Sequence, residues 1–114
     1  MPERRKLKRR HLLYYLRVYN ADTRRLVGHL VDITPDGVLI MSDQAIRLGR
    51  SIRLRMNLPG PPRDNQALEF QATSLWRRRD VNPDFWDTGF QTMDLSRKQA
   101  VAIETLIEDY GFRD

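Results

Sequence analysis

The chain of 114 residues contains no cysteine. That absence excludes disulfide staples, thiolate nucleophiles and cysteine-based zinc sites, and it fits a reducing compartment. Histidine is scarce as well, with His11 and His29 the only two. No HExxH pair and no GxxxxGK[ST] phosphate loop occurs, and no nucleophile stands at a recognisable spacing from a base. Both histidines are read as noncatalytic, and no catalytic residue, metal ligand or cofactor is assigned. Asp32 and Asp36 do not make a cation site by themselves, since no converging ligand set accompanies them. Long apolar runs are missing too, and none approaches the ~20 residues that span a bilayer. Leu12 to Leu16 follows a basic start but is short, lacks a small-residue cleavage pattern and turns polar at Arg17, unlike a signal peptide. A soluble, cytoplasmic protein that is not an enzyme is expected.

What the chain does have is charge of one sign in one place. Residues 1 to 10 hold six basic side chains, Arg4, Arg5, Lys6, Lys8, Arg9 and Arg10, against Glu3 alone. The rest balances at 14 basic and 14 acidic residues, so the whole net charge of +5 belongs to the first ten. A neutral body with a short cationic arm points to local anion capture rather than a uniformly basic coat. The length fits one domain with one core, which divides the chain into a flexible basic arm at 1–11 and a folded unit at 12–114.

The folded unit reads as strands until Asp94. Residues 12 to 19 alternate two surfaces, with Leu12, Tyr14, Leu16 and Val18 on one of them. Asn20 to Thr23 supplies a turn, and RLVGHLVDI forms a second strand that ends near the turn at Asp32 to Gly37. Val38 to Met41 is the third strand. Ile52, Leu54, Met56 and Leu58 give a fourth its period-two face, with Arg53, Arg55 and Asn57 opposite. The proline-rich segment at 59–66 is a loop. Leu68, Phe70, Ala72, Ser74 and Trp76 are expected on one face of a fifth strand, and Trp86 to Thr92 forms a sixth. Arg77 to Arg79 is read as a solvated loop, packed by Trp76 and balanced by Asp80, Asp84 and Asp87. Tyr14, Tyr15, Tyr19 and Trp86 are assigned to barrel packing. Ser96 and Gln99 then have the spacing of a capping box, and Ala100, Ile103, Leu106, Ile107 and Tyr110 form a helical stripe ended by Gly111. An all-β core is predicted, a six-stranded antiparallel barrel whose open end or seam is covered by a C-terminal helix at about 96–110.

Arg5-Lys-Leu-Lys-Arg9 resembles the RxxxR element of the PilZ domain family, and Asp32-Ile-Thr-Pro-Asp-Gly37 resembles its [D/N]xSxxG element with threonine in place of serine. Trp76 and Gly89-Phe90 resemble later strands of the same barrel. Arg4 with Lys8, and Lys6 with Arg10, give competing basic registers in the arm. The resemblance implies a bacterial β-barrel module that binds cyclic di-GMP as a signalling ligand, with Arg5, Arg9, Arg10, Asp32, Thr34 and Gly37 as its contacts.

Such a ligand carries two phosphates and two guanines. Arginine can fork onto a phosphate or a guanine edge and can stack on a base. Asp32 can accept from guanine N1-H or its amine, and Thr34 can donate or accept. Gly37 is expected to permit a tight or positive-φ turn and to keep a β-carbon away from the ligand. The reading is a noncatalytic receptor in which the arm closes on the ligand against the turn and passes occupancy to a bacterial protein partner. Direct DNA or RNA binding is not expected under that reading. Two alternatives stay open: a small barrel that binds single-stranded nucleic acid through the arm and the Trp76 patch, and an adaptor that has lost its nucleotide.

Overall fold

A computed structural model describes residues 16–57 and 67–110, with the side chains of the last two residues excepted. There are six strands among the described residues: β1 (Arg17–Asn20), β2 (Leu26–Thr34), β3 (Gly37–Ser42), β4 (Ser51–Asn57), β5 (Ala67–Arg79) and β6 (Trp86–Met93). One helix follows, α1 (Arg97–Tyr110). The strands close into a barrel in the order β1-β2-β3-β6-β5-β4, and every neighbouring pair is antiparallel, including β1 with β4. The predicted six-stranded barrel with a C-terminal helix is the observed fold.

Alternation works as expected on β4, where Leu54 and Met56 are fully buried while Arg53, Arg55 and Asn57 face out. The same rule buries Leu68, Phe70, Ala72 and Ser74 on β5. Ser74 is a polar residue at the wall of the core and is satisfied there. Its Oγ donates to the Arg47 carbonyl at 2.7 Å and accepts from the Arg50 amide at 3.1 Å, which fastens the β3–β4 connection to β5.

The helix begins as the sequence requires. Ser96 Oγ accepts from the Gln99 amide at 3.1 Å, and Gln99 Oε1 accepts from the Ser96 amide at 2.7 Å. Gln99 Nε2 also donates to the Glu69 carbonyl, which ties the first turn to β5. Ile103, Leu106 and Ile107 are buried and belong to the same apolar cluster as the barrel interior. The helix packs against β2 and β5, which are not neighbours in the barrel, so it lies across an end and closes it.

Two expectations are corrected. Trp76 was placed on the inner face of β5, but it is 43% exposed, because the register shifts between Ser74 and Trp76. Arg77, Arg78 and Arg79 were assigned to a loop, yet they continue β5 and pair with Thr88, Asp87 and Trp86. Their charges are accommodated by aromatic rings, with Arg77 and Arg79 over Trp86 at 5.4 and 4.3 Å and Arg78 over Trp76 at 5.3 Å. The arm, Tyr14, Tyr15, Leu58, the loop at 59–66 and Gly111 lie outside the described residues.

Candidate functional site

One row of residues crosses four strands on the outer face of the barrel: Asp32 on β2 pairs with Leu39 on β3, Leu39 with Gly89 on β6, and Gly89 with Trp76 on β5. Strand spacing makes this row about 14 Å long. The Trp76 indole lies over Gly89 at one end of the row, Leu39 stands in its middle, and Asp32 marks the other end. The result is an open groove of about 460 Å³ lined by Asp32, Thr34, Gly37, Trp76, Gly89 and Gln91 among others. A hollow of about 510 Å³ over Tyr19, Arg24, Arg55 and Glu69 is slightly larger, but none of the motif residues enters it. Convergence of side chains, rather than volume, decides between them.

Two β-bulges aim the ends of the row. On β2 the shift between Leu30 and Asp32 leaves Leu30 and Ile33 both pointing into the core and turns Asp32 outward. On β5 the shift at Leu75 does the same for Trp76. A bulge places two residues opposite one and re-aims the side chain that follows it. Each bulge thus brings one wall of the groove to the surface without disturbing the apolar face behind it.

The turn between β2 and β3 forms the lip. Thr34 Oγ1 accepts from the Asp36 and Gly37 amides at 3.2 and 3.3 Å, so its hydroxyl caps the turn. Thr92 fixes the turn to β6, as its Oγ1 donates to the Pro35 carbonyl at 2.6 Å and its amide donates to the Asp36 carbonyl at 3.0 Å. Asp32 Oδ1 accepts from the Ile33 amide at 2.9 Å, which orients the carboxylate at the edge of the groove.

Gly37 has a different reason from the one expected. Its φ is not in the left-handed region, where Gly49 is the only glycine among the described residues. A β-carbon at Gly37 would lie 2.5 Å from the Phe90 carbonyl oxygen, so the close approach of β6 requires glycine. Gly89 plays the corresponding part under the indole, since a β-carbon there would come within 2.3 to 2.6 Å of three Trp76 ring atoms.

Asp32, Thr34 and Gly37 are therefore brought together, whereas Arg5, Arg9 and Arg10 lie outside the described residues. Gln91, Leu39 and Leu75 were not singled out in the sequence. Leu30 and Ile33, three apart where strict alternation would put them two apart, were the available sign of the first bulge. Among the described residues no group of three or more metal-ligating side chains forms, and no helix is long and apolar enough to cross a membrane.

The PilZ domain model matches residues 3–109, from within the basic arm almost to the end of α1. The chain belongs to the PilZ domain family. Among solved structures, this PilZ domain is similar to the Bacillus subtilis inhibitor of motility MotI/DgrA, with a TM-score of 0.65 and 16% sequence identity. The match covers 82% of this chain and 46% of that protein, so the chain spans under half of that protein's length, and the likeness is one of fold. No curated protein matches the sequence. In this PilZ domain the [D/N]xSxxG element is thus the lip of an open groove, and the barrel supplies an opposite wall, Trp76, that lies outside both sequence elements.

Proposed function

We propose that this PilZ domain is a noncatalytic, cytoplasmic receptor for cyclic di-GMP whose arginine arm closes on the ligand against the Asp32–Gly37 turn and passes occupancy to a protein partner. The observation that carries this reading is the row itself. A carboxylate and an indole stand at the two ends of an open groove with Leu39 between them. Guanine needs an acceptor for its N1-H and amine, which Asp32 supplies, and an apolar contact, which Leu39 and the exposed part of Trp76 supply. Among the described residues that line the groove there is no Lys or Arg, and in this reading the phosphates fall to Arg5, Arg9 and Arg10.

The arm is tethered within reach. The Leu16 carbonyl accepts from the Leu30 amide at 2.9 Å, and Asp32 stands only two residues beyond Leu30. Five residues lie between Arg10 and Leu16, and the six steps they make span about 20 Å when extended. That exceeds the ~14 Å width of the row. Ordering the arm on the ligand costs conformational entropy and offers the means by which binding changes a partner surface.

The nucleic-acid reading is told apart by length and salt dependence: a barrel that tracks single strands binds longer strands more tightly and loses affinity steadily as salt rises, whereas a dinucleotide receptor prefers the compact cyclic ligand and depends on Asp32. Calorimetric titration of the intact chain, of an Arg5→Ala/Arg9→Ala variant and of Asp32→Ala tests the assignment. Saturable binding at micromolar or tighter affinity is expected for the intact chain, with sharp weakening in both variants. A folded intact protein that does not bind cyclic di-GMP would sink it.

A further inference from the structure

A second row runs beside the groove, one step toward the end of the barrel where β5 and β6 extend. It comprises His29 on β2, Met41 on β3, Asp87 on β6 and Arg78 on β5, again in cross-strand register. Nothing in the motif resemblance refers to it. Asp87 is only 6% exposed, and its Oδ1 is buried without a hydrogen-bond partner among the described residues. Its other oxygen faces Arg78, with Oδ2 3.7 Å from Nε. The Arg78 guanidinium in turn lies over the Trp76 ring, 5.3 Å from the ring centre. Trp76 ends the chain of contacts as the wall of the groove, seated on Gly89.

Arg78 and Trp76 are two residues apart on the same face of β5, which lets the guanidinium lie over the ring. Its position is set by what holds the other side of the cation. The charged partner that the structure gives it is Asp87, directly opposite on β6. A buried carboxylate has few other ways to be compensated and is therefore a firm anchor.

We propose that Asp87 and Arg78 are positioning residues for the groove: the carboxylate holds the guanidinium against the Trp76 indole, and the indole keeps the orientation that makes it a wall. This rests on the function proposed above only for what the wall binds. The charged and titratable groups around Asp87 are Arg78 and Asp80 at the end of β5 and, beyond Met41, His29 on β2. Burial first, then the neighbouring Asp80 carboxyl, raises the Asp87 carboxyl from 3.8 to about 6, with Arg78 opposing. Acidification through that range removes the anchor's charge and releases the ring.

The test isolates Trp76 as the sole tryptophan in a Trp86→Phe background and reads its emission without ligand. Emission is expected to change between pH 7.5 and pH 5 with a midpoint near 6. Asp87→Asn at pH 7.5 should give the low-pH emission and abolish the midpoint. Arg78→Met should shift emission at pH 7.5 in the same direction, while Arg77→Met, which removes a cation stacked on Trp86 rather than on Trp76, should not. Emission unchanged in Asp87→Asn and Arg78→Met, both folded by circular dichroism, would overturn the proposal. So would a midpoint that survives Asp87→Asn or disappears with His29→Gln. Cyclic di-GMP titration at pH 7.5, with both tryptophans native, is then expected to weaken by about threefold or more in Asp87→Asn and Arg78→Met. Wild-type affinity in both would also overturn it. Failure of the wild-type chain to bind would remove the cyclic di-GMP assignment and leave the ligand-free result to decide the positioning role.

Discussion

Two glycines do more to shape the groove than any charged residue, because each is defined by what presses on it. Gly89 is the seat of the Trp76 indole, and a methyl group there would overlap the ring. Gly89→Ala is expected to lift the indole, red-shift Trp76 emission, weaken cyclic di-GMP binding and cost about 1–3 kcal/mol of stability. Urea unfolding and ligand titration of the same sample check both parts, and an unaltered groove would show that the ring has another place to rest. Asp87 makes the second prediction at this scale. Its carboxyl is raised to about 6 in the folded protein from 3.8, so between these values the native state holds more proton than the unfolded chain. Stability associated with this group is therefore fully present below about pH 4 and declines as pH rises through 6. The full difference is on the order of 3 kcal/mol. Unfolding of the wild type and Asp87→Asn compared at pH 4 and pH 7 should show the wild type losing ground to the variant at the higher pH. A gap that does not change with pH counts against it.

At the level of elements, the two bulges separate what local sequence reveals from what it hides. Deleting Leu75 makes Ser74 and Trp76 alternate directly, which keeps the indole on the outer face. Deleting Thr73 instead puts Ser74 out of phase with Phe90 and turns the inner face of β5 outward. The first deletion is expected to stay folded with an exposed Trp76, and the second to lose cooperative unfolding; thermal melts followed by near-ultraviolet circular dichroism distinguish them. Strand existence was legible because Ile52, Leu54 and Met56 repeat at the strand period, and the helix start because Ser96 and Gln99 satisfy each other's backbone. The bulges were not legible as such. A bulge is set by which residue stands opposite on the partner strand, and that partner is far away in sequence. The same cause explains Arg77 to Arg79, whose charges suggest a loop until Trp86 is known to lie across from them. Of the residues that line the groove, Asp32, Thr34 and Gly37 were legible through their motif. The reason for Gly37 was not, since the Phe90 carbonyl that forbids a side chain there is more than fifty residues away.

For the molecule as a whole, charge is divided along the sequence: residues 11 to 114 balance at 14 basic and 14 acidic side chains, and the net charge of +5 sits in residues 1 to 10. Under the proposed function, recognition of the anion is separated from the folding of the core, and substitution of Arg5, Arg9 and Arg10 is expected to weaken ligand binding in a titration with little change in thermal unfolding. The ring of strands is complete, each one bonded on both sides. β4 covers β5 only as far as Thr73, however, so Leu75 to Arg79 pairs with β6 alone. Where the ladders are used on both sides a partner has only side chains to read, and its specificity there is open to tuning by surface substitution while the backbone of the barrel stays fixed.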